Sequence, residues 1–133
     1  MKESFLVTRP RFQSEEVAGK LREEGFEVII ESISDVEYLK YDEKEVGNIK
    51  KSDVQAIFLT SFNASEAFLS FDFDKNVPIY AIGEKSAQKI KESGYKNVTF
   101  PEKSTVFDLE RLFLQHNSNQ TGQILYFCGN YFP

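Results

Sequence analysis

Polar side chains follow an apolar run in the middle of the sequence, and their types and spacing could bind an anion. The run at 56–59, Ala-Ile-Phe-Leu, is followed by Thr60, Ser61 and Asn63. The continuous apolar run predicts a strand that is buried on both faces. All three polar residues are favoured at helix N-termini. Open α/β sheets bind ligands where a strand's carboxyl end leads into a helix N-terminus, so we expect a ligand here.

A second strand of this kind is predicted at 78–82 and leads into a turn that begins with Gly83. Ser86 would lie in the first turn of the next helix, and Gly129 follows a further strand at 123–128. Neighbouring parallel strands bring their carboxyl ends to one edge of a sheet, which favours a shared ligand site. Helix capping, worth about 1 kcal/mol per residue, is the alternative explanation for these hydroxyls.

The first thirty residues predict a βαβ unit. Strand 4–8 ends at Thr8 and Arg9-Pro10, the following helix runs to about Glu24, and a second strand covers 26–30. Two strands joined by a helix in this way pair in parallel. The expected inward stripe of the helix is Phe12, Val17, Ala18 and Leu21.

The remaining chain predicts a second and more complete unit of alternating strands and helices. Residues 31–41 could form an extended connector or an edge strand, and 42–51 a short polar helix. Further elements are a helix at 63–70, a strand at 97–100, and a helix capped by Ser104 or Thr105 with Val106, Leu109, Leu112 and Phe113 inward. The single cysteine, Cys128, is expected to be a buried strand residue. The pattern predicts an α/β fold of two flavodoxin-like units.

The composition of the chain argues against several classes of function. The net charge of −5 and the lack of a basic stripe argue against nucleic acid as a partner. The chain has one cysteine, no zinc-ligand spacing and no apolar segment of membrane-spanning length, which favours a cytoplasmic protein without a metal. A glycine-rich nucleotide loop is absent from the sequence, and Thr8 and Arg9 stand where a response regulator needs aspartates.

Four motifs, in this order and at these separations, resemble the uroporphyrinogen-III synthase family. They are FLVTRP (5–10), AIFLTSFNA (56–64), YAIGEKSAQKI (80–90) with the following SGYKNV (93–98), and LYFCGN (125–130). The resemblance corresponds to about the amino-terminal half of that family. It implies two flavodoxin-like parallel-sheet domains. Residues 1–33 would be the βαβ part of a discontinuous first domain, 34–41 an extended interdomain connector, and 42–133 a second domain without its last helix and strand.

The resemblance also implies a function. The family dehydrates and cyclises hydroxymethylbilane to uroporphyrinogen III, with inversion of the last pyrrole ring, in haem biosynthesis. No metal or organic cofactor takes part. The implied substrate-binding residues are Ser86, Ser61, Thr60, Asn63, Gly83, Thr8, Arg9 and Gly129. The family's tyrosine that assists loss of the hydroxyl has no counterpart here, so no catalytic residue is assigned.

Two questions stay open at this point. A non-catalytic flavodoxin-like module that binds an anionic small molecule is the alternative to a synthase, and the short chain by itself could be inactive. We expect a monomer if the protein is longer than these 133 residues, and an intertwined dimer is the alternative if it is not. We expect no contact with a membrane.

Overall fold

The structure of the chain, a computed structural model, describes residues 3–40, 44, 47–49, 53–116 and 121–129. It consists of two compact units, one formed by residues 1–39 and the other by residues 40–133.

The first unit is a βαβ motif, as the sequence predicts. Strand β1 (Ser4–Val7) and strand β2 (Glu27–Ile30) pair in parallel, with Ser4 opposite Glu27 and Val7 opposite Ile30. Helix α1 (Arg11–Glu23) connects them. Pro10 precedes the helix, where its fixed φ suits a helix start, and Gly25 follows the helix with φ at +89°.

The inward stripe of α1 differs from the prediction at one position. Ser14 and Ala18 are buried, while Phe12 is 75% exposed. Phe12 is two residues from Ser14, and at 3.6 residues per turn the two side chains point about 200° apart. The Ser14 Oγ donates a hydrogen bond to the Arg9 carbonyl at 2.6 Å, which holds the serine against the unit. The prediction that Phe12 faces inward was therefore wrong.

Residues 31–40 form neither helix nor strand. This segment is the one predicted to be a connector or an edge strand, and no strand is present in its described part. The polar helix predicted at 42–51 lies mostly outside the described residues.

The second unit is built on a four-stranded parallel sheet in the order β5-β4-β3-β6. Its strands are β3 (Val54–Leu59), β4 (Ile79–Ala81), β5 (Val98–Thr99) and β6 (Gln123–Phe127). Its helices are α2 (Phe62–Phe68), α3 (Glu84–Glu92) and α4 (Val106–His116). Strand β3 is an inner strand, with β4 on one side and β6 on the other.

Both faces of the sheet are covered by helices. On one face, Ile57 and Leu59 pack in a cluster that includes Phe68 of α2 and Ile90 of α3. On the other face, Ala56 and Tyr80 pack against Leu109 and Phe113 of α4. Ala56, Ile57 and Leu59 have no exposed surface, so the prediction that this strand is buried on both faces is confirmed.

Two side chains of this unit are more exposed than predicted. Val106 lies on the same side of α4 as Phe113, seven residues later, but it is the first residue of the helix and is 49% exposed. Cys128 is exposed because the pairing of β6 with β3 ends at Phe127, one residue earlier. The predictions of an inward Val106 and a buried Cys128 were wrong.

A substitution of Gly122 tests the close packing at the start of β6. Its φ is +155°, and a Cβ at this position would lie 2.8 Å from the Asp53 carbonyl oxygen. We expect Gly122→Ala to lower the free energy of unfolding by about 1–3 kcal/mol, because backbone must move. Gly19→Ala is the control: no atom lies within 4 Å of its Cβ position, in the middle of α1. It should raise the stability of its unit by about 0.5–1 kcal/mol.

The measurement is urea unfolding of the full chain, followed by circular dichroism. A Gly122→Ala protein as stable as the wild type would contradict the close contact.

Candidate functional site

The turns that follow β3, β4 and β6 lie at one edge of the four-stranded sheet. Leu59 pairs with Ala81 on one side and with Phe127 on the other, so the three strands end at the same level. The Ile82 N–H donates to the Leu59 carbonyl at 2.9 Å and ties two of the turns together. We call this region the carboxyl edge; it comprises Thr60–Asn63, Gly83–Ser86 and Gly129.

The two adjacent hydroxyls after β3 make different contacts. Ser61 is the N-cap of α2, and its Oγ accepts a hydrogen bond from the Ala64 N–H at 3.0 Å. Thr60 Oγ1 donates instead to the Tyr126 hydroxyl at 3.0 Å, which links β3 to β6. Asn63 lies inside α2 as its second residue and is half-buried. Capping is therefore confirmed for Ser61, while Thr60 and Asn63 do not occupy the N-cap position.

The N-terminus of α3 is built differently from that of α2. Its N-cap is Gly83, and no side chain caps the helix. The backbone N–H groups at the start of a helix have no partner within the helix, and they carry its positive end charge. The carboxyl edge thus holds a helix start that is suited to an anion. Glu84 is acidic and lies in this first turn, but its side chain is exposed.

At position 83 the small size of glycine is important, whereas its backbone conformation is one that other residues also adopt. Its φ of −156° and ψ of 170° describe extended backbone, which any residue adopts. A Cβ at this position would lie 3.0 Å from the Ser104 Oγ. The missing side chain therefore brings the Ser104 hydroxyl close to the start of α3.

Ser104 was missed as a site residue by the sequence reasoning, which offered it only as a cap for α4. Thr105 fills that role, since its Oγ1 accepts a hydrogen bond from the Asp108 N–H at 3.1 Å. Ser104 is exposed and adjacent to Gly83. The signal was available, because 101–105 follows β5 and the rule applied to β3 and β4 holds for this strand as well.

The other sequence-predicted site residues differ in location and exposure. Ser86 lies in the first turn of α3 and is only 4% exposed, while Gly129 is exposed just after β6. Thr8 and Arg9 follow β1 in the first unit, where the Thr8 carbonyl accepts from the Ile33 N–H at 3.4 Å. The second unit thus brings six of the eight predicted residues to its carboxyl edge, and Thr8 and Arg9 belong to the other unit.

A shallow depression lies between α2 and α3, beside the carboxyl edge. It has a volume of about 440 Å³ and is lined by Phe62, Lys85, Gln88, Lys89, Glu92 and Ser93. The ammonium groups of Lys85 and Lys89 lie 4.9 Å and 5.2 Å from the Phe62 ring centroid. Lys89 also forms an ion pair with Glu66. Lys85 is exposed in the first turn of α3, so it adds positive charge next to the helix start.

Within the described part of the chain, no group of three or more His, Cys, Asp or Glu side chains is placed to hold a metal ion. Within the same residues, no helix combines the length and the apolar character needed to cross a bilayer.

This combination of fold and edge defines a class of protein. A parallel sheet covered by helices on both faces, with helices that follow the carboxyl ends of its strands, is typical of a flavodoxin-like α/β domain.

Comparisons with known proteins narrow the class to a family. The family model described as uroporphyrinogen-III synthase HemD matches residues 15–131, most of the chain. The chain therefore belongs to the uroporphyrinogen-III synthase family, a family of enzymes. A search of curated proteins finds no match.

A solved structure shows the same fold. The chain is similar to the crystal structure of uroporphyrinogen-III synthetase from Helicobacter pylori 26695, with a TM-score of 0.66 and 21% sequence identity. The match covers 87% of this chain and 55% of that chain, so the chain spans little more than half the length of the solved protein.

Ser61 gives a test of the capping contact. We expect Ser61→Ala to lower the free energy of unfolding by about 1 kcal/mol, because the Ala64 N–H loses its acceptor. Ser61→Asp should stay within about 0.5 kcal/mol of the wild type, since a carboxylate also caps helices well. The measurement is the free energy of unfolding in urea of the wild type, Ser61→Ala and Ser61→Asp. Equal losses in both variants would show that capping is not what Ser61 contributes.

The pH dependence of stability tests the environment of the Asp108 carboxylate. The hydrogen bond from Thr105 Oγ1, at 2.5 Å, lowers the pKa of Asp108 below its usual 3.8, with help from the adjacent Arg111. The unfolded chain then binds this proton at higher pH than the folded chain. The stabilisation is therefore complete above the unfolded pKa and is lost as pH falls through the folded pKa. Between about pH 5 and pH 3, the wild type should lose more stability than Asp108→Asn.

The measurement is thermal unfolding of both proteins across that range. If the stabilities of the two proteins changed equally with pH, that result would contradict the lowered pKa of Asp108.

Proposed function

We propose that this chain acts as the substrate-binding part of a uroporphyrinogen-III synthase and binds hydroxymethylbilane at the carboxyl edge. The observation that carries this proposal is the family match over residues 15–131. The reaction converts hydroxymethylbilane to uroporphyrinogen III and water, with inversion of the last pyrrole ring, in haem biosynthesis.

The charges of the protein and substrate explain why the carboxyl edge suits this ligand. The substrate carries eight carboxylates, whereas the chain has a net charge of −5, so long-range attraction does not favour binding. Local donors must supply the affinity instead. The uncapped start of α3 provides backbone N–H groups, and the Ser104 hydroxyl lies beside it. Lys85, in the first turn of α3, provides a positive charge.

The reaction needs positioning more than it needs a strong acid or base. The substrate hydroxyl takes up a proton and leaves as water, which gives an azafulvene cation. The last pyrrole ring attacks this cation to form a spirocyclic intermediate. Opening of the spirocycle and reclosure with the ring inverted, followed by loss of one proton, give the product. A protein that holds the linear chain folded brings the reacting carbons together and prevents the unguided closure that leaves the ring uninverted. We assign no described side chain as a proton donor.

The roles that we propose for the predicted residues follow from their positions in the two units. The carboxyl edge would contact the substrate through Ser61, Thr60, Asn63, Gly83, Ser86 and Gly129, with Ser104 added from its position beside Gly83. Thr8 and Arg9 would act from the first unit. In this proposal residues 1–33 are part of a discontinuous first domain, 34–41 are the interdomain connector, and 42–133 are the second domain. A cytoplasmic location, and a monomeric state in a longer protein, belong to the same proposal.

A second candidate function is an anion-binding module without chemistry. The observation that favours it is that the chain spans 55% of the matched solved protein. In such a module the same helix start and hydroxyls would hold a carboxylate ligand, and no cyclisation would follow.

The experiment supplies hydroxymethylbilane to the full 133-residue chain and identifies the uroporphyrinogen isomer that forms. We expect the type III isomer above the spontaneous type I background. Gly83→Ala should lower the rate of type III formation roughly tenfold, about 1.4 kcal/mol, because its methyl group enters the space beside Ser104 Oγ. Its backbone conformation accepts alanine, so folding should persist. Gly19→Ala, in α1 of the other unit, is the matched control and should keep the wild-type rate.

The possible results separate the two functions. Type I isomer only, from a folded chain that still binds uroporphyrinogen III, would favour the binding module. Type I isomer only and no binding would reject both functions for this chain. An active Gly83→Ala protein with an unchanged rate would reject the site but keep the reaction.

A further inference from the structure

The depression between α2 and α3 is continuous with the carboxyl edge, because Phe62 and Lys85 belong to both. From Lys85 it follows α3 past Lys89 to Glu92. The lining residues that lie within α3, at positions 85, 88, 89 and 92, follow helical spacing and therefore share one side of the helix. The depression is thus a short groove that leads away from the proposed substrate site.

The part of the depression nearest the carboxyl edge is positively charged. The ammonium groups of Lys85 and Lys89 lie 4.9 Å and 5.2 Å from the Phe62 ring centroid, and attraction to the ring holds both of them near it. Lys89 is fixed further by its ion pair with Glu66 on α2. An ammonium group has three hydrogens to donate, so Lys89 can bind a ligand carboxylate and keep Glu66. The two lysines are therefore placed to bind two carboxylates of one ligand.

The far end of the depression is negatively charged. Glu92 lies there, about 10 Å along the helix axis from Lys85 at a rise of 1.5 Å per residue. Its Oε1 accepts a hydrogen bond from the Gln88 Nε2 at 2.9 Å, which holds the carboxylate beside the depression. A carboxylate at this end repels an anionic ligand, and the repulsion confines bound carboxylates to the part near the two lysines.

We propose that the depression binds the acid side chains of one pyrrole ring of the tetrapyrrole, an inference that rests on the proposed function. Each of the four rings carries two of the eight carboxylates, one on an acetate and one on the longer propionate, attached to neighbouring ring carbons. The volume of about 440 Å³ suits the acid side chains of one ring rather than a whole tetrapyrrole. The ring itself stays beside Phe62, which leaves the other three rings at the carboxyl edge.

The lengths of the two acid side chains assign them to the two lysines. Lys85 lies at the mouth of the depression, and Lys89 lies about one helical turn further in. The propionate is one methylene longer than the acetate, so the propionate reaches Lys89 and the acetate binds Lys85. Lys85 is thereby a specificity-determining residue that recognises acetate.

The first test measures the affinity of the full chain for uroporphyrinogen III by anaerobic isothermal titration calorimetry. Lys85→Gln should weaken binding about tenfold, because one charge-assisted hydrogen bond is lost. Lys91→Gln is the matched control, since it removes the same charge from the same helix. The Lys91 ammonium lies 5.6 Å from the Phe100 ring centroid, and Lys91 does not line the depression. This control should bind like the wild type.

The results of this titration separate the subsite from the proposed function. A wild type that does not bind uroporphyrinogen III would overturn the proposed function, and the subsite with it. Binding by the wild type that is equally strong in Lys85→Gln would overturn the subsite and leave the proposed function in place.

A double variant of unchanged net charge separates the depression from the rest of the carboxyl edge. Glu66→Gln combined with Lys89→Gln removes one charge of each sign and should weaken binding about fivefold, since the propionate loses its cation. Glu16→Gln combined with Lys20→Gln makes the same exchange in an ion pair on α1 of the other unit and should leave the affinity unchanged. Equal affinities of these two double variants would place Lys89 outside the site and contradict the subsite.

A ligand without acetate tests which acid each lysine binds. Coproporphyrinogen III keeps the four propionates and has methyl groups in place of the four acetates. Lys85→Gln should bind it as tightly as the wild type does, whereas the double variant without Lys89 should lose affinity for both ligands. Circular dichroism establishes that all variants are folded. If Lys85→Gln weakened the binding of both ligands equally, the assignment of acetate to Lys85 would be wrong.

Discussion

The burial of β3 on both faces is the constraint on which the second unit depends. Ala56, Ile57 and Leu59 have no exposed surface, because α2 and α3 cover one face of the sheet and α4 covers the other. The buried part of this strand, 56–59, has no polar side chain, and polar groups follow directly after it. Thr60 and Ser61 are those groups, and the pairing of β3 with β4 and β6 aligns their turns with those that follow Ala81 and Phe127. Packing in the core thus determines where the carboxyl edge lies.

The hydroxyl side chains of the carboxyl edge already have structural roles in the fold. Ser61 caps α2 and Thr60 contacts Tyr126, so each hydroxyl has a structural partner. Ser86 is almost completely buried. The start of α3, by contrast, lacks a side-chain cap and lies next to Ser104. In a chain of net charge −5, backbone N–H groups offer an anion positive potential without further lysines or arginines.

Much of this structure could be predicted from the sequence, and the errors have a common cause. The buried strand at 56–59 and the parallel βαβ unit follow from local rules, and both are present. Phe12 and Cys128 were assigned to the interior because they are apolar, yet burial depends on which neighbouring element covers a residue. The position of Ser104 after β5 could have indicated a site residue, but its closeness to Gly83 arises from the tertiary fold. The division into domains and the roles of individual site residues remain predictions.

The claim that the carboxyl edge binds the tetrapyrrole is tested most directly by mapping backbone amide signals in NMR spectra of the isotopically labelled full chain. Uroporphyrinogen III, kept reduced under anaerobic conditions, is the probe. The account predicts concentration-dependent shifts at Ser61–Asn63, at Gly83–Ser86 and at Gly129. The amides at the opposite end of the strands, Val54 and its partner Gln123, should stay unchanged. Shifts confined to that opposite end, or no shifts at saturating ligand, would contradict the account.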